Sequence, residues 1–347
     1  MLKALNLKVA LQKECFLAYT KRQIFGAVLP GCPQPKTEVR LRLYCDECAS
    51  GNWLYIAILL VPVEDEQLLL QNLLNARCGN PNIITNWAQC HPLCKYHQRN
   101  DTHLHWSDLR NSQKDKSDLA RRWVRYFFED ITLTRAYIIG IDLAKLDQKY
   151  FGNERTEDNI YNRFFRTALL KATKYFFAQY RTIHISEIFH DRCTAKETHF
   201  YFNWQPIFRV NEQDDKVAID KPTITFLCSD HRESGQYHSH FLQYIDLIVN
   251  VFRQGIDAQS KDPLKIELSR IAMPLLERLL KKPDNINSRY CYVRRLKMEF
   301  FPKHDIKKLI PDSLEYELKK SDCFYTLRPI NITDKKQMQF AFLNSEQ

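Results

Sequence analysis

The stretch that most constrains this 347-residue chain is Leu41 to Val63, LRLYCDECASGNWLYIAILLVPV, because two adjacent carboxylates, Asp46 and Glu47, fall at the end of an apolar strand. Val39, Leu41, Leu43 and Cys45 alternate onto one face, and Trp53 to Val63 is a second, almost wholly apolar run across the turn Ala49 to Asn52. That pattern predicts a central β-hairpin. A carboxylate at the edge of a core is costly unless donors or a cation reach it. Asp46 is therefore either a hydrogen-bonded acid in a hairpin turn or part of a metal site.

Two further acidic anomalies weigh on that choice. The strand Thr182 to Phe189 places Glu187 in parity with Ile183, Ile185 and Phe189, with Asp191 further along the same face. In the later helix HSHFLQYIDLIVNVFRQ, an apolar stripe of Phe241, Leu242, Ile245, Ile248, Val249 and Phe252 flanks a polar seam of Ser239, Gln243, Asp246 and Asn250. Between these lie a helix from Glu64 to Arg77, one capped by Ser117 and running through Phe128, and a strand from Arg135 to Leu143. Helices over Asn159 to Tyr180 and Ala195 to Phe208 and a strand from Thr223 to Cys228 complete the order. The first and fourth strands of such a mixed sheet can be neighbours, and a final helix packed across them would bring Asp46, Glu187 or Asp191, and Asp246 together. Convergent carboxylates repel unless divalent cations lie between them, and Mg²⁺ or Mn²⁺ is the hard, oxygen-loving choice. Two such ions can activate a water at a phosphodiester.

Length and composition predict one α/β core with an insertion and a C-terminal extension, divided as an annex over 1–38, a core over 39–255 and a basic extension over 256–347. With 44% hydrophobic and 12% aromatic residues and only 8 glycines, the chain reads as ordered. No apolar run reaches membrane-spanning length and the start lacks a signal core, so a cytoplasmic location is expected. The net charge of +10 favours polyanionic partners, above all DNA or RNA. Eleven scattered cysteines read mostly as core thiols. The insertion 78–105 concentrates soft ligands, and Cys78, Cys90, Cys94 and His97 could converge on a structural Zn²⁺, the plainer alternative being thiols and imidazoles of a surface loop. Arg289, Arg294, Arg295 and Lys297, interleaved with aromatics, suit either nucleic-acid contacts or an edge strand kept soluble by charge.

The segment LYCDECASGNWLYIAILLVP resembles the opening Asp-Glu-Ser and strand signature of the domain of unknown function 3800 family. HWSDL, residues 105–109, resembles its short histidine-containing segment, and TITFLCSDHRESGQYHSHFLQYIDLIVNVF resembles its closing Ser-Asp and Gln-x-x-Asp signature. The similarity spans Arg40 to Arg253. It implies a ribonuclease H-like fold, here a mixed five-stranded sheet flanked by helices, metal-dependent nuclease chemistry, and a place near mobile elements and defence genes. Residue by residue it points to Asp46 and Glu47, and to Asp230, Gln243 and Asp246. Cys48 stands where the signature has serine, which creates Cys45-x-x-Cys48 and a redox alternative. The expectation is a phosphodiesterase in which Asp46, Asp246 and one of Glu187 or Asp191 hold the ions, with Glu47 and Asp230 in support. The rivals are a non-cleaving module that grips nucleic acid or a partner protein in a larger complex, and a zinc-stabilised adaptor.

Overall fold

A computed structural model describes residues 37–78, 101–129, 134–152, 156–192, 194–199, 202–257, 259–281 and 295–302. The annex 1–38 lies almost wholly outside these, as do Cys90, Cys94, His97, Arg289 and Arg294. The chain divides into two compact units, Met1–Glu38 and Val39–Gln347, and the sheet and its helices belong to the second.

The hairpin forms as its alternation requires. Strand β1 (Glu38–Ser50) pairs antiparallel with β2 (Trp53–Pro62) in a register that sets Asp46 opposite Ala57 and Glu47 opposite Ile56. Gly51 opens the two-residue loop at φ 56°, where only glycine is comfortable, so the strand runs four residues past Asp46 instead of ending at it. β3 (Arg135–Asp142) adds antiparallel to β2. β4 (Thr182–Asp191) neighbours β1 on the other side and carries two short parallel strands, β5 (Val217–Ile219) and β6 (Thr225–Leu227).

Among the described residues the sheet therefore has seven strands, not five. β5 is too short to announce itself by alternation. The other addition, β7 (Leu296–Phe301), belongs to the supposed extension yet pairs parallel with β3, because Leu296 and Phe300 have a core face to fill. Its neighbour Gly140 has no room for a side chain: a Cβ there would meet the Phe300 ring at 2.9 Å and the Tyr55 ring at 3.0 Å.

Helices cover both faces. On one, α3 (Thr156–Phe176) buries Ile160, Phe164, Phe165, Ala168, Leu169 and Ala172 against Leu41, Leu43, Ile56 and Ile58. On the other, α1 (Glu66–Cys78), α2 (Lys114–Glu129), α7 (His238–Asp257) and α8 (Pro263–Lys281) pack over Tyr44, Tyr55, Ala57 and Leu59. All of α7 except Arg253 and Asp257 is buried, so this helix is enclosed all round and its boundary runs past residue 255. The helix expected over Ala195 to Phe208 is two, α4 (Thr194–Glu197) and α5 (Gln205–Gln213), with the one-turn α6 (His231–Ser234) before α7. Ser117 is not a cap, since α2 starts a turn earlier and its hydroxyl donates to the Gln113 carbonyl four residues back at 2.7 Å. Among the described residues no helix is long and apolar enough to cross a membrane.

Candidate active site

Strand parity decides where the two adjacent acids go. Tyr44 belongs to the α7-side core and Cys45 to the α3-side core, so Asp46 continues toward α7 and Glu47 toward α3. The hairpin thus turns the pair toward different layers, although both line one cleft.

On the α7 face, the Asp46 carboxyl hydrogen-bonds that of Asp246, with Asp191 within electrostatic reach of both. Burial first, then Asp246 and Asp191, push the Asp46 carboxyl well above the usual range, with Lys196 opposing. Asp246 is also raised by burial, while His105 and the Trp106 amide pull against it. Burial and the mutual repulsion of the acids both oppose ionising the two carboxyls together. Asp246 is fixed by three contacts: Trp106 N–H donates to Oδ2 at 2.8 Å, Asn250 Nδ2 donates to Oδ1 at 2.7 Å, and His105 Nε2 lies 4.0 Å from Oδ2. The Glu47 amide donates to Asp46 Oδ1 at 2.8 Å.

On the α3 face, Glu47 pairs with Lys196 of α4. Its Oε2 lies 3.2 Å from the Tyr161 hydroxyl and 3.3 Å from His190 Nε2. Burial holds the His190 imidazole below its ordinary range, and its Nδ1 donates to the Asp191 carbonyl at 2.7 Å. Nε2 is then an acceptor, and Tyr161, 2.6 Å away, shares its one proton between it and Glu47. The Lys196 ammonium, 3.9 Å from the Tyr161 ring centroid, is drawn down to about 8 by burial, with Asp46 pulling the other way. This lysine serves both acids.

The choice between Glu187 and Asp191 has a geometric answer. Ile183, Ile185 and Ile188 pack in the α3-side core but Phe189 in the other, so the alternation of β4 slips once between Ile185 and Ile188. Glu187 is left paired with Lys221 and accepting from the Thr225 hydroxyl at 2.9 Å, away from the acidic pair. Asp191, the last residue of β4, lies within electrostatic reach of that pair and accepts from the Ser229 amide at 3.1 Å.

Asp230 is not in the cluster. It caps α6, accepting from Arg232 N–H at 3.0 Å, and the Arg232 side chain holds its carboxyl well below the usual range. Gln243 is a clamp: Oε1 accepts from the fully buried Arg77 at 2.9 Å and from Leu104 N–H at 3.1 Å, while Nε2 donates to the Ser229 carbonyl at 2.6 Å. It thereby fixes the segment whose Trp106 amide holds Asp246. Cys45 and Cys48 are both thiols pushed well up by burial, and the strand sends them to opposite faces, which removes the redox pair. Cys78, the described member of the zinc set, is buried at the end of α1. Arg295 is not on the surface: it is 2% exposed and donates to the Phe127 carbonyl. Lys297 is half-buried, 3.6 Å from Glu299.

A cleft of about 450 Å³ opens on the acids, lined also by His105, Asn250, Arg253 and Lys265. Sequence reasoning missed Lys196, which sits in a one-turn helix without periodic signal, and the Tyr161–His190 pair, which reads as core. Asn250, by contrast, stands in the polar seam four residues from Asp246, the spacing that brings helix side chains together. Among the described residues no three His, Cys, Asp or Glu side chains are arranged to hold a metal ion. The donor chemistry nonetheless suits a hard divalent cation, since two buried carboxyls lining one cleft offer oxygen ligands when ionised. No family model matches this chain, and no curated protein or solved structure matches it either.

Proposed function

We propose that the chain is a divalent-metal-dependent nuclease of ribonuclease H-like fold that hydrolyses phosphodiesters in DNA or RNA. The observation that carries this reading is the buried pair Asp46 and Asp246 at a cleft that also presents Arg253 and Lys265. The fold reading is supported by the order of the strands, with an antiparallel β1–β2–β3 and β4 beside β1. Asp46 and Asp246 would hold Mg²⁺ or Mn²⁺, with Asp191 completing the set. When bound, the ion supplies activation of a water and neutralisation of the leaving oxygen.

The chain's own residues do the rest. Asp46 gives its proton to solvent as the site charges, and Asn250 and the Trp106 amide keep Asp246 in one orientation. Arg253 and Lys265 offer positive charge for a phosphate at the cleft, and Lys196 offsets part of the acidic charge behind it. A second reading, a module that binds without cutting, is favoured by Lys196 itself, because an internal ammonium already serves Asp46 and Glu47.

The test is cleavage of labelled single-stranded and duplex DNA and RNA with Mg²⁺, Mn²⁺ or chelator, for wild type and Asp46→Asn. Cleavage lost with both chelator and substitution is expected. Binding without cleavage under all conditions would favour the non-cleaving module.

A further inference from the structure

The opposite layer of the sheet carries a surface that the carboxylate site does not use. Two adjoining grooves, of about 370 and 510 Å³, run on either side of Arg163 on α3, and its side chain lines both. The first is polar and basic, with Arg166 and Arg209 beside Arg163. The second is aromatic: Phe151 stacks on Phe164 at 6.3 Å, Phe164 meets Phe301 at 5.0 Å, and the Arg163 guanidinium lies 5.4 Å from the Phe151 ring centroid.

The large hydrophobic side chains most exposed among the described residues are Leu68, Tyr150, Trp204, Phe208 and Phe301. Tyr150, 77% exposed, and Phe301, 44% exposed, line the aromatic groove. Trp204 and Phe208 flank Gln205 and Arg209 of the basic one, with Arg209 5.8 Å from the Phe208 centroid. Arg163 and Arg166 make no ion pair among the described residues, Arg163 being exposed and Arg166 partly so, whereas Arg209 is tied to Glu212 at 2.8 Å.

From this we infer that the α3–α5 flank binds a single-stranded polynucleotide, with arginines on phosphates and the exposed rings under bases. Charge complementarity selects a polyanion, and open rings select one with free base faces, which a duplex keeps stacked inside. The surface lies on the α3 layer while Asp46 and Asp246 face α7, so strand binding here does not depend on the nuclease reading.

The test is fluorescence anisotropy in chelator with labelled oligothymidylate, oligouridylate and a duplex of equal length, using the full chain. Wild type should bind the single strands more tightly than the duplex. Arg163→Ala/Arg166→Ala should weaken single-strand binding at least about tenfold and flatten the log–log salt dependence by about 0.7 for each phosphate no longer neutralised. Tyr150→Ala should weaken it about fivefold or more. Wild-type affinity in both variants would overturn the inference, as would a duplex bound as tightly as the single strands. Binding lost in Asp46→Asn but kept in the groove variants would place the polynucleotide in the acidic cleft and overturn it equally.

Discussion

Replacing Asp46 by asparagine removes one of two carboxyls whose joint ionisation burial opposes. In the folded chain this carboxyl is held well above its ordinary range, first by burial and then by Asp246 and Asp191. In the unfolded chain it ionises near about 3.9. Between those two values the folded state carries one proton more than the unfolded state, so stability falls as pH rises, by about 1.4 kcal/mol per pH unit. The contribution is fully present below the unfolded pKa and is lost toward the folded one. Asparagine does not titrate, and its amide can donate to Asp246 in place of the carboxyl proton. Urea unfolding in chelator, followed as the pH is raised above the unfolded value, should therefore show wild type losing stability relative to Asp46→Asn, by at most about 1.4 kcal/mol per unit. Excess Mg²⁺ or Mn²⁺ should reverse the ranking at neutral pH, since an ion at about 100 times its Kd adds about 2.7 kcal/mol to wild type alone. A difference between the two proteins that stays constant with pH would refute the raised Asp46 carboxyl.

Other perturbations separate the roles of neighbouring residues. Asp191→Asn should lower divalent-ion affinity about 10–100-fold in calorimetric titration, while Glu187→Gln, which loses only a Lys221 pair, leaves it near wild type. Gln243→Ala strips partners from Arg77, Leu104 and the Ser229 carbonyl together, and should cost roughly 2–3 kcal/mol and speed amide exchange at Leu104 and Trp106. Gly140→Ala forces a methyl against the Phe300 and Tyr55 rings and should lower the unfolding free energy by about 1–3 kcal/mol, read from denaturant midpoints.

Much of this architecture is written in period. The hairpin, α3 and α7 follow from runs of alternating or helically spaced apolar residues, and the acids stand out because they break those runs. That is how Asp46 and Asp246 are legible, and Asp191 as one of two candidates. Glu187 misleads because parity counting assumes a regular strand, and β4 slips by one residue where no glycine or proline marks it. β5 is three residues long and leaves no local trace, whereas β7 shows locally as one of two readings, an edge strand, and only its pairing with the distant β3 is hidden. Lys196 escapes for a related reason: its role depends on where β4 ends in space, and its own helix is a single turn. Arg295 shows the reverse error, a cation read as surface charge whose guanidinium is consumed by a backbone carbonyl in the core.

The enclosure of α7 bears on time. Its Gln243, Asp246 and Asn250 are buried in the most enclosed long helix among the described residues, each with partners on other elements or within the helix. Such a seam has no cheap local opening, so its amides exchange only when the whole domain unfolds. The acidic cleft then keeps its shape for as long as the protein lives. Any adjustment to a substrate must come from the two walls that meet the seam, the 102–106 segment and the short helix of Lys196.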